Sequence, residues 1–119
     1  MGKLDAYYVL TEPSKQNVLD MFDGEWSCRL PDHLGLVTKP GVVRAFEDDR
    51  VIWAEKTIGS FAGFKILELG PLEGGHSYMF QDLGAEKVIS IEANTRAFLK
   101  CLCIKDMLNL ERVDFRLGD

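Results

Sequence analysis

An α/β fold around a parallel sheet is predicted by the alternation of strand and helix patterns after residue 47. Three β-rich segments lie at residues 65–69, 87–91 and 113–117, and helical patterns separate them. This alternation is typical of βαβ units with parallel strands. Right-handed crossovers would place the strands side by side in the order third, second, first.

Residues 1–47 are expected to form a helix followed by a covering segment. Residues 11–14 supply capping residues and a proline, and apolar residues then recur at helical spacing up to Gly24. Residues 25–46 contain two prolines and two glycines among scattered apolar residues. They are predicted to be a long covering loop with short extended pieces.

Residues 48–119 are predicted to be the first half of the α/β domain. Capping residues and apolar spacing predict three helices here, at residues 48–59, 78–83 and 94–109. In the last helix the apolar stripe is expected to contain Ala97, Cys101, Ile104 and Leu108, supported by Phe98 and Leu102. With 119 residues in all, the chain has room for one domain at most.

The composition excludes several classes of protein. The formal net charge is −5, from 14 basic and 19 acidic residues, which gives no reason to expect a nucleic acid or an anionic membrane surface as a partner. No apolar run approaches the roughly 20 residues that span a bilayer. The cysteines, Cys28, Cys101 and Cys103, form neither a disulfide framework nor a zinc spacing. A protein of the reducing cytoplasm is therefore expected.

A glycine-rich turn is the strongest indication of a functional site. It runs from Glu68 to Gly75, between the first strand and the start of a helix. Glycines there let a ligand approach the backbone, and the helix start offers free N–H groups. The second strand ends at Glu92, 22 residues after Gly70, where a carboxylate can accept hydrogen bonds from both ribose hydroxyls. Together these features indicate a nucleoside-containing ligand at the carboxyl ends of the strands.

The glycine spacing and the nearby charges discriminate between nucleosides. The dinucleotide pattern G-x-G-x-x-G is not met, because the glycines here are Gly70, Gly74 and Gly75. The carboxylates of Glu68 and Glu73 would also repel a pyrophosphate. A ligand with a positive centre is favoured, and S-adenosylmethionine (SAM) combines a sulfonium and an ammonium group with a ribose.

At these residues the chain resembles the class I SAM-dependent methyltransferases. Their first motif, D/E-x-G-x-G-x-G, is matched at Glu68, Gly70 and Gly74, and Leu72 stands where the middle glycine is usual. The resemblance covers residues 48–119 and implies a Rossmann-like three-layer sandwich, of which the chain contains the first half. The run that begins at Glu68 also resembles a bacterial subgroup of the family.

The resemblance implies roles for residues around the cofactor. Glu92 would hold the ribose, and Asp119 would approach the adenine amino group. Ala93 and Asn94 would lie beside the adenine ring, although Asn94 could equally be a simple helix N-cap. The cofactor-binding residues implied in this way are Glu68, Gly70, Pro71, Gly74, Glu92, Ala93, Asn94 and Asp119. No catalytic residue and no metal site is assigned.

The family usually has seven strands, and this chain supplies the first three. We expect the chain to be truncated after the third strand, so that it carries the cofactor-binding half of a methyltransferase and lacks the half with the acceptor and catalytic residues. Its methyl acceptor and its own activity are left open. The first strand would expose an unpaired edge, which invites self-association.

Two other functions are kept as alternatives. One is an NAD(P)-binding oxidoreductase of Rossmann type, against which the glycine spacing and Glu68 count. The other is a non-catalytic, degenerate SAM-binding module that binds a partner through its open sheet edge. Other notable side chains have structural interpretations, with Trp26 and Trp53 as packing residues and His76 as part of a helix start rather than a general base.

Overall fold

The computed structural model describes residues 6–119. Its helices are α1 (Lys15–Asp20), α2 (Asp49–Ile58), α3 (Gly75–Asp82) and α4 (Thr95–Leu108). Its strands are β1 (Trp26–Cys28), β2 (Pro40–Val43), β3 (Lys65–Leu69), β4 (Lys87–Glu92) and β5 (Val113–Leu117). Short 3-10 turns lie at Asp32–Leu34 and Ala45–Glu47. None of the four described helices is long and apolar enough to cross a membrane.

The main sheet consists of β3, β4 and β5, which are all parallel and lie in the order β3-β4-β5. Ile66 of β3 lies beside Val88 of β4, and Val88 lies beside Val113 of β5. The β-branched residues of β4 suit a central strand, since they pack well on a pleated surface. The predicted α/β class and strand order are confirmed.

Helices cover one face of the main sheet. Val88 is fully buried on that face, where it shares a hydrophobic core with Cys101 and Ile104 of α4. On the opposite face, Leu67 and Leu69 of β3 are 64% and 74% exposed, because no described helix packs over them. The described residues therefore form two of the three layers that the resemblance implies.

The N-terminal part packs onto the same core. β1 and β2 form a separate two-stranded parallel pair, in which Trp26 lies beside Pro40. Trp26 is 1% exposed, and its indole N–H donates to the Leu19 carbonyl at 2.8 Å. The short extended pieces predicted within residues 25–46 are therefore present, and they pair with each other.

Two helices bury different side chains from those expected. Trp53 was predicted to pack but is 69% exposed, because it lies about 200° around α2 from the buried Val51. In α4, Leu102 is 41% exposed, whereas Lys100 is only 7% exposed. Lys100 is buried because a carboxylate described below pairs with its ammonium group.

Candidate functional site

The carboxyl ends of β3, β4 and β5 meet at one edge of the main sheet. Gly70 follows β3, and its N–H donates to the Ile91 carbonyl at 2.9 Å. Gly118 follows β5, and its N–H donates to the Glu92 carbonyl at 2.9 Å. These hydrogen bonds bring the glycine-rich turn, the end of β4 and the tail after β5 together, where open parallel sheets bind ligands.

The turn after β3 leaves open space in front of Gly70. This residue has a φ of 73°, in the left-handed region that favours glycine. A Cβ placed on Gly70 would meet no atom within 4 Å. The backbone is therefore accessible here, and a ligand could approach it closely.

Gly74 has a packing role that its place in the motif does not reveal. It has a φ of 92° and forms the N-cap of α3, which therefore begins at Gly75 and not at the predicted Tyr78. A Cβ on Gly74 would lie 3.3 Å from the Phe115 ring. The positive φ favours glycine and the ring leaves little room for a side chain, whereas contact between Gly74 and a cofactor remains a prediction.

Glu92 holds two loops of the site together. It is 8% exposed, its Oε1 accepts the Leu72 N–H at 2.8 Å and its Oε2 accepts the Asn94 N–H at 2.9 Å. Leu72 stands where the motif usually has glycine, and it adopts the left-handed conformation with a φ of 57°. The hydrogen bond to Glu92 stabilises this strained backbone. A carboxylate has about four lone-pair positions, so two acceptor positions remain for ligand hydroxyls.

Glu68 lies at the carboxyl end of β3, on the helix-covered face of the sheet. Its Oε1 accepts the hydroxyl of Ser90 at 2.8 Å and also the hydroxyl of Ser77. Both serines are completely buried. Neither serine is among the predicted site residues, although Ser90 is the residue that lies opposite Glu68 in a parallel register.

Glu73 does not face the ligand side of the turn, so the expectation that it would repel a pyrophosphate is wrong. Its side chain is 1% exposed and lies 3.1 Å from the Lys100 ammonium. It also accepts the backbone N–H groups of Ser27, at 3.1 Å, and Cys28, at 2.7 Å. Glu73 is therefore a structural link between the turn and β1, and its charge is compensated. Of the two expected carboxylates, Glu68 alone remains to act on a ligand.

The remaining predicted residues lie around the same edge. Asn94 accepts the Ala97 N–H through its side chain at 2.9 Å, so its N-cap role is confirmed. Ala93 precedes it and is exposed, as is Asp119 beyond the strand end, whereas Pro71 is buried within the turn. Their contacts with an adenine ring or a methionine group remain predictions.

A histidine–aspartate pair lies at the start of α3. His76 Nε2 is 2.9 Å from Asp48 Oδ2. Asp48 also caps α2 by accepting the Arg50 N–H at 2.9 Å, and it pairs with the Arg50 guanidinium at 2.6 Å. Hydrogen bonds from Arg50, with a further one from His76, hold the pKa of Asp48 well below its usual range. The pair fastens α2 to α3 beside the site.

The cysteines do not provide a nucleophile at this site. Burial raises the pKa of Cys28 to about 12, with a further contribution from the Glu73 charge. Burial, with the Glu92 charge next, raises the pKa of Cys101 further still. Within residues 6–119 no group of three or more His, Cys, Asp or Glu side chains is arranged to hold a metal ion.

The site has three features that bear on which ligand it could bind. Open space lies in front of Gly70, Glu92 retains acceptor positions for hydroxyl groups, and Glu68 provides a negative charge suited to a cationic group. An exposed turn thus lies beside two carboxylates at adjacent strand ends.

Comparisons with solved structures identify the fold. No protein-family model matches the chain, and no curated protein matches it in sequence. PH1948 from Pyrococcus horikoshii, described as a candidate RNA methyltransferase, is 25% identical, with a TM-score of 0.51 and 60% of this chain covered. A candidate sarcosine dimethylglycine methyltransferase from Galdieria sulphuraria is 14% identical, with a TM-score of 0.53 and 60% covered. EvdMO1 is 15% identical, with a TM-score of 0.65 and 87% covered, and its N-terminal domain has been crystallised with S-adenosylhomocysteine (SAH) bound.

This chain spans 36%, 28% and 23% of the lengths of these three proteins. The described residues have the Rossmann-like fold of the class I SAM-dependent methyltransferases, over part of that fold. The resemblance predicted from the glycine-rich turn is therefore confirmed at the level of the fold.

Proposed function

We propose that this chain binds SAM and is the cofactor-binding part of a methyltransferase. The observation that carries the proposal is the pair of carboxylates, Glu68 and Glu92, at the ends of two adjacent strands beside the open turn at Gly70. SAM supplies a methyl group on a sulfonium, and an acceptor removes it by direct displacement. A cytoplasmic location is part of the proposal, because all three cysteines are free thiols.

Each site residue has a defined task in this proposal. Glu92 accepts ribose hydroxyl groups on the lone pairs that the two backbone N–H groups leave free. Glu68 accepts the cationic methionine end of the ligand. Ala93 and Asn94 flank the adenine ring, and Asp119 accepts a hydrogen bond from the adenine amino group. The turn at Gly70 admits the ligand to the backbone.

Calorimetric titration with SAH tests the proposal. Glu92→Gln should weaken SAH binding by at least about tenfold, because hydrogen bonds to a charged group contribute about 1.5–3 kcal/mol each. The amide NH₂ would also face one of the two backbone N–H donors. Glu111→Gln changes an exposed glutamate between α4 and β5 and serves as the matched control.

Two results would contradict the proposal. One is SAH binding that Glu92→Gln leaves undiminished while circular dichroism shows the variant folded. The other is binding of NAD in place of SAH, which would support the oxidoreductase alternative. We expect no binding of NAD, because Glu68 stands beside the turn where a pyrophosphate would lie.

A second candidate function is self-association through β3. Leu67 and Leu69 are exposed, and no described strand pairs with the other edge of β3. An edge strand offers unpaired N–H and C=O groups that are self-complementary across a two-fold axis. We therefore propose that this edge pairs with β3 of a second copy of this chain. Sedimentation velocity should detect a dimer that Leu67→Lys abolishes, and a wild-type chain that stays monomeric at its highest soluble concentration would exclude this candidate.

A further inference from the structure

Two buried serines from different elements hold Glu68. Ser77 lies in the first turn of α3 and Ser90 in β4, and both are 0% exposed. The Ser90 hydroxyl donates to Glu68 Oε1 at 2.8 Å, and the Ser77 hydroxyl donates to the same oxygen. The two hydroxyl oxygens are 3.1 Å apart. One carboxylate oxygen therefore receives both hydroxyl protons.

The other carboxylate oxygen of Glu68 is left for a ligand. Oε2 makes no hydrogen bond with residues 6–119. No buried side-chain nitrogen or oxygen in that range lacks a hydrogen-bond partner, so Oε2 is at the accessible surface. The serines therefore hold one oxygen of the carboxylate and leave the other, Oε2, free at the carboxyl end of β3.

We propose that Ser77 and Ser90 are positioning residues, which orient Glu68 to receive the ammonium group of the methionine part of the cofactor. This inference rests on the proposed function. An ammonium bound by a carboxylate makes a short, charge-assisted hydrogen bond. Because the serines order the Glu68 side chain before binding, the ligand does not have to bear the entropy loss of ordering it.

A comparison of two ligands separates positioning from a purely structural role. SAH carries the ammonium group, whereas 5′-methylthioadenosine has the same adenosine and sulfur but no amino-acid part. If the serines only stabilise the fold, their removal should affect both ligands alike. If they position Glu68 for the ammonium, their removal should affect SAH alone.

The experiment is calorimetric titration of the full chain with both ligands. Ser77→Ala and Ser90→Ala should each lower SAH affinity by about tenfold, the effect of losing one hydrogen bond to a charged group, and leave methylthioadenosine affinity unchanged. Ser27→Ala removes an exposed hydroxyl and is the matched control. Thermal unfolding confirms that each variant is folded.

Three outcomes would overturn the inference. They are unchanged SAH affinity in both variants, equal losses for both ligands, and a wild-type chain that binds SAH no more tightly than methylthioadenosine. The last measurement needs no variant, so it can overturn the inference even if the serine variants fail to fold. A wild-type chain that binds neither ligand would instead overturn the proposed function itself, and the inference with it.

Discussion

The buried ion pair between Glu73 and Lys100 allows a quantitative test of how the N-terminal part is attached. The two side chains are 1% and 8% exposed, and they lie 3.1 Å apart. Glu73 also accepts the N–H groups of Ser27 and Cys28 from β1. Glu73→Gln keeps the shape of the side chain but removes its charge. The Lys100 ammonium then stays buried without a carboxylate partner, although it still donates to the Glu25 carbonyl at 2.6 Å.

The expected loss is large in relation to the stability of the chain. Breaking a buried pair by removing one partner costs about 3–5 kcal/mol. A chain of 119 residues has a free energy of unfolding of roughly 6–18 kcal/mol. With a urea m-value of about 2 kcal/mol per M, a loss of about 4 kcal/mol lowers the unfolding midpoint by about 2 M. Adding Lys100→Met should restore most of this loss, because an apolar replacement of a buried pair is often close to neutral.

Urea unfolding followed by circular dichroism measures the loss, and hydrogen exchange locates it. In Glu73→Gln the amide protons of Ser27 and Cys28 should exchange faster, because they lose a charged acceptor, whereas the amide of Val88 in β4 should exchange only on global unfolding. A loss below about 1 kcal/mol, the contribution of one ordinary hydrogen bond, would refute the reasoning. So would a double variant as unstable as the sum of the two single variants.

Three further predictions concern the surroundings of the site. Asp48→Ala should lower the free energy of unfolding by about 1 kcal/mol through loss of the α2 cap, whereas Asp48→Asn should keep the cap. The pKa of Asp48 is lowered in the fold, so its charge stabilises the fold fully above about pH 4, and this stabilisation is lost as the pH falls further. Asp48→Asn should therefore make the free energy of unfolding depend less on pH below about pH 4. An unchanged dependence on pH in that range would contradict this. Gly75→Ala should cost about 1–3 kcal/mol in urea unfolding, because its Cβ would lie 2.6 Å from the Ala45 backbone, and a neutral effect would contradict that packing. At pH 8 a disulfide reagent should modify the half-buried Cys103 well before the fully buried Cys28 and Cys101, whose pKa values burial raises strongly. Rapid reaction of all three thiols would contradict the burial of Cys28 and Cys101.

The arrangement of the main sheet could be predicted because local patterns and general topological rules both specify it. The three strand segments were bounded by turn residues, and the handedness of the crossovers then left one strand order. Glu92 could be placed at the site for the same reason, since it ends a strand whose carboxyl end must lie beside the turn at Gly70. The two short strands of the N-terminal part lacked such a rule, so their pairing with each other was not foreseen.

The roles of buried polar side chains could not be predicted, because they depend on contacts between residues distant in sequence. Glu73 lies within the glycine-rich turn, yet its partners in β1 are 45 and 46 residues away. Ser77 and Ser90 lie 13 residues apart in the sequence, yet their hydroxyl oxygens are 3.1 Å apart beside Glu68. A sequence pattern shows that Glu73 is charged, but which way the side chain points depends on the packing of β1 against the turn.

The most direct test of the central claim is a titration of the ¹⁵N-labelled chain with SAH, followed by amide chemical shifts. We predict the largest shifts at Gly70, Leu72 and Asn94. Gly70 has open space in front of it, and the backbone N–H groups of Leu72 and Asn94 donate to the Glu92 carboxylate. An absence of shifts would contradict the claim. So would shifts confined to the separate cleft of about 280 Å³ between α2 and α3, which is lined by Phe46 and Tyr78.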